Sequence, residues 1–156
     1  MKIAFLFMGG QKEVWLMEAT NDFVRKIGFF SPCEVVRLKP VKIDRALAVQ
    51  KKEIESKHVL NSISKDDFVV LLDERGQQID SLAFSKKLVK MLESGKSRIL
   101  FVVGGAFGAS DELKARANFT LSLSSMVFNH HLAQLVICEQ VYRALTIWKN
   151  IPYHNE

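Results

Sequence analysis

The groups able to do chemistry crowd into the last third of the chain. Residues 102–110, VVGGAFGAS, place Gly104 and Gly105 at the end of an apolar run. With no Cβ in the way, a ligand can lie there against main-chain N–H and C=O groups, although a tight strand-to-helix turn accounts for the same string with no ligand at all. Ser110, Asp111 and Glu112 follow as a helix N-cap with acids in the first turn. The string is not GxGxxG, lacks the GK[ST] of a P-loop, and follows the fourth apolar run, whereas a dinucleotide fingerprint belongs to the first. The two acids also repel phosphate, so the expected ligand is neutral or cationic.

Further groups follow at short intervals. His130 and His131 stand at the N-terminal end of an apolar helical stretch, where the helix dipole disfavours a protonated imidazole. Each also has an ordinary use, as a cap, a packing residue or a solvated side chain. Tyr142 and Arg143 lie further along, with Glu139 four residues before Arg143 as the simplest ion-pair partner. The alternative is an Arg143 that faces a cleft and binds a phosphate or carboxylate. The tail NIPYHNE carries Tyr153 and His154, which suit stacking on a base and proton transfer unless the terminus frays. No metal is expected, because the four histidines (His58, His130, His131 and His154) form no HExxH and have no cysteine pair beside them. Cys33 and Cys138 lie far apart without a CxxC, which points to core packing. No GxSxG or Cys/His arrangement offers a covalent nucleophile.

The elements that must position these groups alternate in type. Apolar runs at 3–8, 34–38, 68–72 and 99–103 read as buried parallel strands. Helical spacing links Val14, Met17, Val24 and Ile27 within 11–27, and Phe84, Leu88, Met91 and Leu92 within 82–92. This is the pattern of an α/β fold, a parallel sheet flanked by helices. Residues 44–62 are helical but polar, with QKKEIESKH at their centre, and read as a solvated rim helix. The last helix, over 132–148, is apolar around an arc of about 200°, so it is buried on more than one side; a two-fold homodimer is the commonest way to supply the second cover.

At 156 residues, with 48% apolar and 25% charged residues, the chain has the length and composition of one globular domain over 1–156. No stretch reaches the roughly 20 apolar residues of a membrane span, and a cytoplasmic location is expected. A net charge of +5 favours a polyanionic partner, weakly.

Taken in order, VGGAFGAS, LSLSSMVFNHHL, EQVYRA and NIPYHNE, together with the opening KIAFLFMGGQK, resemble the small SPOUT-class methyltransferases, and among them the bacterial 23S rRNA pseudouridine-N3 methyltransferases. The likeness spans the chain, is densest from Leu71 onward, and is most specific in the PYHxE ending. It implies a parallel α/β sheet with a C-terminal trefoil knot, a homodimer, S-adenosylmethionine as cofactor, and the 23S rRNA of the ribosome as partner. The sulfonium charge of that cofactor suits the non-phosphate character of the glycine turn. On these positions the resemblance puts cofactor contacts at Leu72, Gly105, Ser124, Ser125, Met126, Val127, Phe128 and Asn129. The substrate side falls to His130, Tyr142, Arg143, Tyr153 and His154, with His130 or His154 handling the proton, Arg143 stabilising charge, and the tail reaching the partner subunit's site. Ala106 stands where the family usually has Pro, Asn129 and His131 where it variably has Pro, Gln134 where it usually has Arg, and Asn155 where it often has Arg or His. Gln134 and Asn155 are expected to remove positive charge from an RNA-facing site. The rival expectation is a non-catalytic RNA-binding or ribosome-associated homodimer on the same scaffold.

Overall fold

A computed structural model describes residues 1–42 and 47–155. Its sheet has five strands in the order β2-β1-β4-β3-β5: β1 (Lys2–Met8), β2 (Cys33–Leu38), β3 (Asp67–Gln77), β4 (Arg98–Val103) and β5 (Phe119–Leu121). Every pairing is parallel. The strands are apolar on both faces because both faces are covered. Ile3, Phe5 and Phe7 join Phe101 and Val103 beneath α1 (Val14–Ile27), α3 (Ser81–Leu92) and α5 (His130–Trp148). On the opposite face Ala4, Leu6, Leu71 and Val102 pack with Val59 of α2 (Ala48–Asn61) and Leu113 of α4 (Asp111–Arg116). The resulting three-layer α/β fold is the expected one. Positions 44–46, where the polar helix was expected to begin, lie outside the described residues.

Some expectations shift by a strand or a phase. β5 is only three residues long, too short for a periodicity to register. β3 runs on through the polar DERGQ, with a register irregularity between Leu72 and Gln77. Gly76 permits this extension, because a Cβ there would lie 2.7 Å from the Leu121 backbone. In α1 the inward residues are Leu16, Thr20 and Ile27, while Val14 and Met17 are exposed. The run VWLM is apolar at four successive positions, so its sequence does not select a phase. α5 does bury more than one side, with Ile137, Cys138, Val141 and Leu145 inside and packing against both α1 and α3.

Candidate functional site

The carboxyl ends of β3, β4 and β5 open on one side of the sheet, where parallel α/β folds bind ligands. The loops leaving them enclose a cavity of about 550 Å³ whose wall includes Leu72, Gly105, Ser124, Met126, Val127, Phe128, Asn129 and His130. Seven of the eight expected cofactor positions thus meet at one place; Ser125 is exposed and outside the wall. Local hydrogen bonds shape the loops. The Gly108 N–H donates to the Gly105 carbonyl at 3.3 Å, with Gly108 at φ +84° in the left-handed region that suits glycine. Ser124 Oγ accepts from the Met126 N–H at 2.9 Å, and Asn129 Oδ1 caps α5 by accepting from the His131 N–H at 2.9 Å. Ser110 caps α4 as expected, accepting from the Leu113 N–H. The same wall carries charges of both signs, Asp73 and Glu74 with Lys52, Arg75 and Lys114, and Lys114 Nζ lies 3.9 Å from Asp73 Oδ2.

The polar helix α2 is not a simple rim, because Glu55, Ser56 and Val59 face inward. Ser56 Oγ accepts from the Ser110 N–H at 2.9 Å. Glu55 is 5% exposed, its Oε2 has no hydrogen-bond partner among the described residues, and it occupies the space a Cβ on Gly105 would take. Burial raises its carboxyl pKa, against a smaller opposing pull from Lys51. A search for apolar periodicity passes over such a residue; the available signal was that Glu55, Ser56 and Val59 share one helical face.

His130 is half-buried, and its imidazole pKa is lowered first by burial and then by His131, whose ring centroid lies 4.0 Å away. The expected dipole effect is not among those causes. Arg143, Tyr153 and His154 do not join His130. They gather about 20 Å further along α5, thirteen residues at 1.5 Å each. Glu139 Oε1 accepts from Arg143 Nη2 at 2.7 Å, from Arg143 Nε at 3.1 Å and from the Tyr153 hydroxyl at 3.0 Å. Burial, then the bond to Glu139, raises the Tyr153 pKa. Arg143 Nη1 lies 3.2 Å from His154 Nδ1; since a guanidinium only donates, Nδ1 accepts and Nε2 carries the proton. The tail is therefore docked rather than frayed. Asn150 takes φ 54°, and the Asn150 and Ile151 N–H groups donate to the carbonyls of Ile147 and Thr146, a Schellman ending that folds the tail back over α5.

Gln134 corrects an expectation. It is fully buried, and its Oε1 accepts from Arg37 Nη1 at 3.1 Å, so it does not face RNA. An arginine there would set a second cation beside Arg37. Asn155 is exposed. Among the described residues no three histidine, cysteine, aspartate or glutamate side chains are grouped to hold a metal, and no helix is long and apolar enough to cross a membrane.

This arrangement defines a class, a doubly covered parallel α/β protein with a ligand cavity at the strand ends closed by the loops before its last helix. Two solved structures share the fold. A probable methylase family protein from Haemophilus influenzae aligns over 95% of this chain and 66% of its own, at TM-score 0.56 and 11% identity. The tRNA (m1G37) methyltransferase from Aquifex aeolicus aligns over 92% and 70%, at TM-score 0.55 and 14% identity. The chain spans about two thirds of those chains' lengths. A family model described as "Predicted SPOUT methyltransferase" matches residues 1–154, and the chain belongs to that family. Its relatives include proteins named ribosomal RNA large subunit methyltransferase H: that of Bdellovibrio bacteriovorus is 45% identical over 99% of both chains, and that of Parabacteroides distasonis 36% identical over the whole of both.

Proposed function

We propose that this chain, a single domain, acts in the cytoplasm as a homodimer and transfers a methyl group from S-adenosylmethionine to N3 of a pseudouridine in 23S rRNA of the large ribosomal subunit. The observation that carries the proposal is the convergence of Leu72, Gly105 and residues 124–129 on one cavity in a chain whose full-length relatives are named for large-subunit rRNA methylation. The cavity fits the cofactor. Its volume of about 550 Å³ lies within the range of small-molecule sites, Gly104 has room where a Cβ would stand, and Asp73 and Glu74 with Lys52, Arg75 and Lys114 give its wall charges of both signs, which suit the ammonium and carboxylate of the cofactor's methionine part. Bound there, the cofactor supplies an electrophilic methyl group on a positively charged sulfur.

In this reading the residues between Gly104 and Asn129 hold the cofactor, and α5 with the preceding loops forms the trefoil knot; the return of α5 between α1 and α3 supports that path. His130, on the cavity wall and held neutral by burial, accepts the N3 proton. Glu139 fixes Arg143 and Tyr153, so that Arg143 stabilises developing negative charge and His154 presents its Nε2–H as a donor. The rise of roughly 20 Å along α5 between His130 and Arg143 supports the cluster's service in the partner subunit's site. The dimer surface begins at Phe128 and Leu132, which are 40% and 41% exposed beside the half-buried outer face of α5.

Mass mapping of 23S rRNA from cells with and without the gene tests the activity: one pseudouridine should lose a methyl group, and an unchanged map sinks it. Calorimetry with S-adenosylmethionine tests the rival, a non-catalytic homodimer, which requires no binding.

A further inference from the structure

A second cavity, of about 290 Å³, lies behind the glycine turn and shares Gly105, Ala106, Phe107 and His130 with the first. Its other walls are Gly9 to Lys12 after β1, Pro40, Lys51 and Glu55 of α2, and His131. Four buried side-chain polar atoms lack a hydrogen-bond partner among the described residues: Gln11 Nε2, Glu55 Oε2, His131 Nδ1 and Gln134 Nε2. Three of them belong to residues lining this cavity, and Gln134 lies one helical turn beyond His130 and His131. Unmet buried polar atoms are rare, and each costs stability, so their convergence marks a place where a ligand completes the bonding.

The chemistry of that ligand follows from the atoms. Gln11 Oε1 accepts from the Glu13 N–H at 3.2 Å, which leaves its Nε2–H₂ as the free donor. Glu55 Oε1 lies 3.9 Å from Lys51 Nζ, which leaves Oε2 as the free acceptor. A phosphate is repelled by Glu55, and a simple cation meets Lys12 and Lys51 on the same walls. A neutral group with an N–H next to a C=O offers a donor to Glu55 Oε2 and an acceptor to Gln11 Nε2. A uracil-type base presents that edge, and pseudouridine alternates N–H and C=O along four consecutive ring positions.

We propose that this second cavity receives the base to be methylated, with Glu55 accepting its N1–H and Gln11 donating to the adjacent C2 carbonyl, which leaves N3 to His130 on the shared wall. The assignment rests on the methyl-transfer reading above and adds a substrate side to it. Gly105 is the shared wall, and the absence of a Cβ there is what lets the Glu55 carboxylate lie against the partition between the two ligands.

The test compares Glu55→Met, of similar length but without an acceptor, with Glu55→Gln, whose amide oxygen still accepts. Methylation kinetics on large-subunit particles lacking the methyl group should show kcat/KM lower by about tenfold to a hundredfold in Glu55→Met. Glu55→Gln should recover part of the loss, while the cofactor affinity measured by calorimetry and the thermal midpoint do not fall. Unchanged kcat/KM, or a matching loss of cofactor affinity, overturns the assignment. A second readout needs no catalysis: pseudouridine nucleoside titrated into the intact protein should shift the Gln11 side-chain amide signals by NMR in the wild type and not in Glu55→Met. Equal shifts in both, or none in either, overturn it. Glu55-dependent nucleoside binding by a wild type that methylates no RNA would sink the proposed activity and reduce the assignment to a base-binding cavity.

Discussion

His130 and Tyr153 illustrate two ways in which a side chain's surroundings set its proton. For His130, burial places the folded pKa below the ordinary 6.5, so the unfolded chain takes up a proton first as the pH drops. Its contribution to stability is whole above pH 6.5 and is lost as the pH falls through the folded value. Single-turnover methylation should accordingly show an acid limb with a midpoint below 6.5, and His130→Asn should slow transfer by about a hundredfold and abolish that limb. A rate insensitive to the substitution removes His130 from proton transfer. Tyr153 is held protonated by burial and by Glu139, so it acts as an orienting donor. Tyr153→Phe should lower kcat several-fold, cost about 1 kcal/mol of stability and leave cofactor affinity intact, as read by kinetics, urea unfolding and calorimetry. Both residues were expected from their place beside an apolar helix and in the tail, but Glu55 was not, because its context QKKEIESKH reads as solvated charge.

At the scale of elements, the loops around the cavity depend on short capping bonds more than on long packing surfaces. Ser110 closes the first turn of α4 through the Leu113 N–H and ties its own N–H to Ser56 of α2. Ser110→Ala should cost about 1 kcal/mol, seen as a lower urea midpoint with an unchanged slope; an unaltered midpoint removes the cap from the account. The four longer strands and the helices α1, α3 and α5 were legible because apolar spacing repeats over several residues in each. What escaped were β5, the polar continuation of β3 and the inner face of α2. Each is stabilised by specific pairings, such as the Asn118 side chain accepting from the Val69 N–H at 2.8 Å, and such pairings leave no periodic trace.

The whole molecule raises the question of how two ends of α5 serve one reaction. His130 opens the cavity at one end, and Arg143, Tyr153 and His154 cluster at the other. A dimer in which each tail completes the other's site reconciles them, and Leu132→Glu, on the exposed outer face of α5, should give a folded monomer by sedimentation with methyl transfer lost. A dimer of full activity after that change would rule out this surface. The sequence by itself determined the class of fold, the glycine turn, the Ser110 cap of α4 and the wide apolar face of α5, because these follow from local spacing and backbone freedom. Only the tertiary structure decided that Glu55 lies against Gly105, that Gln134 is buried beside Arg37, and that the tail docks on Glu139 far from His130. Those facts depend on contacts between distant segments, and the type of a residue does not say what the folded chain will bring beside it.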